Sequence, residues 1–121
     1  MVKSYFNALL LSLVLTACGG ARGVYSDKDV IALTSNSSIS WQPPTTYVDQ
    51  SPLPLSNISG YRVYSRQNEG YMQLVANISD PSMTYFSMSS LSKGTYHIAV
   101  SCYDIYGVES GLSSSIIVNI K

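Results

Sequence analysis

The clearest order in this chain is a two-residue alternation of apolar and polar positions. From residue 30 onward it recurs in short runs, each closed by turn-forming residues. Ser38-Ile39-Ser40-Trp41 alternates and stops at Pro43-Pro44, which offer no N–H to a ladder. Gly60-Tyr61-Arg62-Val63-Tyr64-Ser65-Arg66 alternates again. The longest run, Tyr96 to Tyr103, sets Tyr96, Ile98, Val100 and Cys102 on one face and His97, Ala99, Ser101 and Tyr103 on the other. Val30 to Thr34, Tyr71 to Ile78, Thr84 to Met88 and Ser115 to Ile120 are further β-prone runs. Asn68-Glu69-Gly70, Asp80-Pro81 and Ser92-Lys93-Gly94 punctuate them, and a proline-rich loop covers residues 45–59. Nothing here has helical period. Seven short strands at a spacing of about 8–12 residues predict an all-β, seven-stranded antiparallel sandwich.

The first 29 residues follow a different logic. Lys3 supplies a positive charge, and an apolar stretch from Ala8 to Leu15 follows, interrupted only by Ser12. It falls short of the roughly 20 residues that span a bilayer as a helix, and its flanks suit a secretory signal. Leu15-Thr16-Ala17-Cys18 comes next. This looks like the lipobox of bacterial lipoproteins: an aliphatic residue, two small residues, then the cysteine whose thiol takes a diacylglyceryl group. The resemblance implies cleavage before Cys18 and acylation of the new amine. Residues 1–17 are thus expected to be a signal peptide, 18–29 a lipidated N-terminus with a short polar tether, and 30–121 the folded domain. Gly19, rather than Asp, follows the cysteine, which favours the outer membrane if the source is Gram-negative.

The order of motifs in the body resembles the fibronectin type III domain over about residues 28–121. Trp41 precedes Pro43-Pro44. Gly60-Tyr61-x-Val63-Tyr64 comes next, then Leu91-x-x-Gly94-Thr95-Tyr96-x-Ile98-x-Val100. Tyr103-Asp104-x-Tyr106-Gly107-x-Glu109-Ser110 looks like the bacterial version of the family's ending. The resemblance implies an immunoglobulin-like sandwich with Trp41 in the core and Leu91 and Tyr96 at a tyrosine corner. Tyr61, Val63, Ile98, Val100 and Cys102 would line the same core.

Composition narrows the function classes. Charged residues are 12% of the chain, with seven basic and seven acidic side chains. That is about half the usual share, and no basic face is available for nucleic acid. The two cysteines would suggest a disulfide in an exported protein, but lipidation removes Cys18 from that role and leaves Cys102 a buried thiol. His97 is the only histidine, too few for a metal site, and no cofactor is expected. Asp49, Asp80, Asp104 and Glu109 fall in loops, where acids cap turns by accepting backbone hydrogen bonds. Tyrosine is the compositional excess, with ten. Arg62, Tyr64 and Arg66 share an outer face with His97 and Tyr103, near Tyr71, and Tyr and Arg are enriched at binding hot spots. These residues form the candidate binding face, set against the ordinary use of tyrosine on a solvated strand. The expected role is a membrane-anchored, non-catalytic binding or adhesion module. Its partners would be the bilayer, through acylated Cys18, and an envelope or extracellular protein or glycan. The alternative is a structural accessory of an envelope assembly such as a secretion, pilus or polysaccharide machine. Enzymatic activity has no motif to support it.

Overall fold

The computed structural model describes residues 13–16, 30–47, 51–67 and 70–121. Cys18, the tether and Asp49 lie outside the described residues. Two sheets pack face to face. One has three strands: β1 (Leu13–Thr16), β3 (Ser38–Trp41) and β6 (Tyr85–Ser87), in the order β1-β3-β6. The other has five: β2 (Val30–Leu33), β4 (Ile58–Arg66), β5 (Gln73–Ile78), β7 (Gly94–Asp104) and β8 (Ile116–Ile120), in the order β2-β8-β7-β4-β5. Seven of these strands come from residue 30 onward. The backbone of β1 pairs antiparallel with β3, Leu13 opposite Trp41 and Thr16 opposite Ser38.

One pairing departs from the expected antiparallel arrangement. β2 runs parallel to β8, with Val30 opposite Ile117 and Leu33 opposite Ile120, so the larger sheet is mixed. After β2 a tight turn, Ser37 N–H to Thr34 C=O at 3.0 Å, sends the chain across to the other sheet as β3. A strand that crosses between sheets must pair with whatever edge lies beside it, and here that edge is β8. Alternation along β2 fixes which side chains point inward, but not which neighbour it meets or in which direction.

Alternate residues from both sheets fill the core. Ile39, Trp41, Phe86 and Met88 come from the smaller sheet and its continuation; Tyr61, Val63, Tyr96, Ile98, Val100, Cys102 and Val118 come from the larger. Trp41 (2% exposed) meets Tyr61 (0%) edge to face, ring centroids 5.4 Å apart and planes inclined by 66°, a geometry aromatic quadrupoles favour. The Tyr61 hydroxyl donates to the Pro81 carbonyl at 2.8 Å. Tyr96 donates to the Ser92 carbonyl at 2.9 Å, closing the turn before β7. Leu91, expected inside, is only partly buried and packs against the core's margin, because that same turn carries it away from the inter-sheet layer. Tyr71 lies before β5 rather than in it and is 93% exposed. The proline-rich loop contributes to the core as well: Tyr47 (6%) and Leu53 (4%) are buried, held by Tyr47 N–H to Ser51 C=O and Leu53 N–H to Thr45 C=O, both 2.9 Å.

Gly60 is required by crowding. A Cβ there would come within 2.0 Å of the Ile78 carbonyl oxygen and 2.7 Å of the Tyr103 hydroxyl. It sits where the β4–β7 register shifts, so the bulge draws the strands closer than any side chain allows.

Replacing Trp41 by alanine opens a cavity between the sheets. A loss of about 3–5 kcal/mol is expected, read as a lower midpoint in urea unfolding followed by circular dichroism. An unchanged midpoint would remove Trp41 from the core.

Candidate binding surface

The outer face of the β4–β7 pair is organised by one carboxylate. After β7 the chain turns at Asp104–Val108 and comes back alongside the same strand, Ser110 N–H donating to Cys102 C=O and Ser113 N–H to Val100 C=O, both at 2.8 Å. This return path covers Ala99 and Ser101, which alternation had turned toward solvent, and both are buried. It also carries Glu109 over the sheet. The carboxylate accepts from Arg62 Nη1 at 2.7 Å, from Ser101 Oγ at 2.5 Å and from the Tyr64 hydroxyl in a short bond. Arg62 in turn donates from Nε to Asn77 at 2.8 Å and lies over the Tyr103 ring, 4.3 Å from its centroid. The Tyr103 hydroxyl accepts from Asn77 Nδ2 at 3.3 Å.

Arg62, Tyr64 and Tyr103 are therefore brought together, but their polar groups point at Glu109, Asn77 and one another. Glu109 does not cap a turn, as its loop position suggested; Asp80 and Asp104 do. Asp80 Oδ1 accepts from the Ser82 N–H at 2.9 Å. Asp104 Oδ1 accepts from the Tyr106 and Val108 N–H groups, both at 2.9 Å. Burial pushes the Glu109 carboxyl up, but hydrogen bonds from Ser101, Tyr64 and Arg62, with the guanidinium charge, outweigh it and hold the group below its ordinary value. Burial and the Glu109 contact push the Tyr64 phenol up.

Arg66 lies farther along β4. It faces His97 across the β4–β7 ladder and lines a cleft of about 380 Å³ with Gln67, Gly70, Tyr71, Gln73 and Leu74. The cleft lies between the end of β4 and the start of β5, beside the Tyr96 ring. Its lining includes an exposed aromatic ring, a guanidinium and two primary amides. Cys102 is buried and free, and burial pushes its thiol up to about 12, an environment that suppresses thiolate chemistry. Among the described residues no group of three or more His, Cys, Asp or Glu side chains gathers around a point that would hold a metal ion.

The network makes stability depend on pH. A carboxyl held below its ordinary value stabilises the fold above the unfolded pKa of about 4.3, and that stabilisation is lost as pH falls through the lower folded value. Because Glu109 and Arg62 keep 29% and 30% of their side-chain surface exposed, solvent screening limits the effect. Glu109→Gln is expected to cost about 1–2 kcal/mol at pH 7. At acid pH, below the lowered folded value, the variant and the parent should melt together, since both then carry a neutral side chain. Thermal melts at the two pH values measure this, and an equal gap at both would remove the charge from the account.

No family model matches the chain, and no curated protein matches it. Solved structures do. An Fn3-like protein from Clostridium thermocellum superposes with a TM-score of 0.55 at 15% identity, over 98% of this chain and 91% of that one. A fibronectin type III domain of the human KIAA0970 protein gives 0.57 at 19% identity, over 93% and 75%. The twitchin kinase region from C. elegans gives 0.52 at 20% identity, over 69% of this chain and 13% of that much longer one. At these identities the likeness is one of fold. The two facing sheets, the core tryptophan and the tyrosine closing the turn before β7 together make a fibronectin type III-like β-sandwich.

Proposed function

We propose that this chain is a lipid-anchored, non-catalytic binding module of a bacterial cell envelope. The observation that carries the anchoring is Leu15-Thr16-Ala17-Cys18 at the end of an apolar stretch that starts soon after a lysine. Two or more acyl chains on Cys18 make attachment stable where one is marginal, at about 0.8 kcal/mol per buried CH₂. With Gly19 after the cysteine, the outer membrane is the destination if the cell has one. On this reading β1 belongs to the precursor alone, and the mature domain keeps the seven strands that start at Val30. The non-catalytic part rests on analogy, since sandwiches of this kind serve as recognition and spacer modules.

Recognition is assigned to the cleft that holds Arg66 and Tyr71. Arg62, Tyr64 and Tyr103 are engaged with Glu109 and Asn77, so a partner would have to break those contacts to use them. Tyr71 offers an aromatic ring that is 93% exposed at little ordering cost. The partner is an envelope or extracellular protein or glycan.

Two measurements test the proposal. Mass spectrometry of the protein from membranes should show an N-terminus at Cys18 carrying diacylglycerol, and Cys18→Ser should move the protein out of the membrane fraction. An unmodified N-terminus, or a variant that fractionates like the parent, would overturn the anchoring. For recognition, a photo-crosslinking amino acid in place of Tyr71 should capture a discrete partner in intact cells, and one in place of Tyr64 should not. Capture from Tyr64 alone would move the site to the Glu109 face.

A further inference from the structure

The turn between β7 and β8 carries side chains that a turn does not call for. Asp104 C=O accepts the Gly107 N–H at 3.0 Å, and Asp104 N–H donates to Val108 C=O at 3.0 Å. Gly107 takes a positive φ of 82°, and Asp104 is 1% exposed with Oδ1 bonded to two backbone N–H groups of the turn. Asp at the first position and Gly at the fourth are ordinary turn chemistry. The two central positions are Ile105 and Tyr106, 52% and 74% exposed. A rigid turn holds them away from the core, so neither can fold back to bury itself. Leu55, 48% exposed, occupies the same end of the sandwich: its short 3-10 turn ends at Asn57, whose carbonyl accepts the Ile105 N–H at 3.1 Å.

Strand direction places this end relative to the anchor. β2 is parallel to β8, which descends from the β7–β8 loop toward the opposite end. The chain therefore enters β2 from the side of the Ile105–Tyr106 turn. Val30 pairs with Ile117, which pairs with His97, seven residues below Asp104 on β7. Reaching the level of the turn from Val30 takes about 25 Å at roughly 3.3 Å per strand residue. The twelve residues from Cys18 to Asp29 span at most about 40 Å fully extended. A tether that keeps the direction of β2 therefore ends no more than about 15 Å beyond the turn.

We propose that the Asp104–Val108 turn, with Leu55 on the same end, rests in the interfacial layer of the bilayer that holds the acylated Cys18. The proposal rests on the anchoring reading above. A tyrosine at this depth keeps its hydroxyl at the headgroups while its ring and the two aliphatic side chains leave water. The contact orients the domain, turning the Arg66–Tyr71 cleft, at the far ends of β4 and β5, away from the membrane.

The test uses the acylated protein in vesicles of phosphatidylethanolamine and phosphatidylglycerol. With Cys18 lipidated and Cys102 buried, Tyr106→Cys and Lys93→Cys each present one reactive thiol for a nitroxide label, at opposite ends of the domain. Electron paramagnetic resonance should show the label at position 106 colliding several-fold more with lipid-soluble oxygen than with an aqueous nickel chelate, and the label at position 93 the reverse. Leu55→Cys should behave like position 106 and guards against a local effect of the tyrosine substitution. A label at 106 as open to the nickel chelate as the one at 93, on protein that floats with the vesicles, overturns the orientation alone. A label at 106 shielded from both reagents marks contact between copies and overturns it too. Protein that carries no acyl chain and does not float overturns the anchoring, and this proposal with it.

Discussion

The contact between Trp41 and Tyr61 is the constraint around which the sandwich is arranged. Trp41 stands on β3 in the smaller sheet and Tyr61 on β4 in the larger, and their rings meet edge to face at 5.4 Å with almost no solvent exposure. Each sheet alone has an apolar face that water would cover; the two rings are the largest surfaces the sheets remove from water together. Their size also sets the depth of the layer that Ile39, Met88, Val63, Val100 and Cys102 must fill. The Tyr61 hydroxyl, bonded to Pro81, ties the same ring to the connection between β5 and β6. One aromatic pair thus positions both sheets and a loop that joins them.

From that core the outer face follows. Because Tyr61 and Val63 point inward, Arg62 and Tyr64 point outward, and the same parity on β7 brings Ser101 and Tyr103 beside them. Arg62, Tyr64 and Ser101 on adjacent strands converge on a space that one carboxylate can fill. Glu109 fills it. The result is a lock: the segment after β7 is stitched to the sheet by a side chain, while its backbone bonds to the carbonyls of Cys102 and Val100. Tyrosine and arginine here serve cohesion, and the most exposed aromatic ring, Tyr71, lies between β4 and β5.

How much of this could be read from residues alone depends on the range of the interaction. Alternation is local, so the strands, their inward faces and the core placement of Trp41 and Tyr96 were legible. Partner choice is not local. Nothing in Val30–Leu33 states that it will lie parallel to Ile116–Ile120. Arg62 and Glu109 are 47 positions apart, and only the return of the chain along β7 joins them. Tyr47 and Leu53 were hidden for another reason: prolines flank them and no period surrounds them, so a loop that folds inward looks like one that does not. The turn at Asp104–Val108 was legible as a turn, but the meaning of its apolar tip depended on knowing which end of the sandwich it occupies.

The parallel ladder of β2 and β8 has a mechanical side. The chain runs through β2 and β8 in the same direction, and the two strands lie side by side from Val30–Ile117 to Leu33–Ile120. The Lys121 N–H adds a bond of 3.0 Å to the Leu33 carbonyl at the final step. Tension drawn on the start of β2 and the end of β8 would slide these strands past each other along their length. Every bond of the ladder would then bear load at once, where a hairpin pulled from its open end surrenders them singly. Load applied along the common direction of the two strands is in this way shared across the whole ladder.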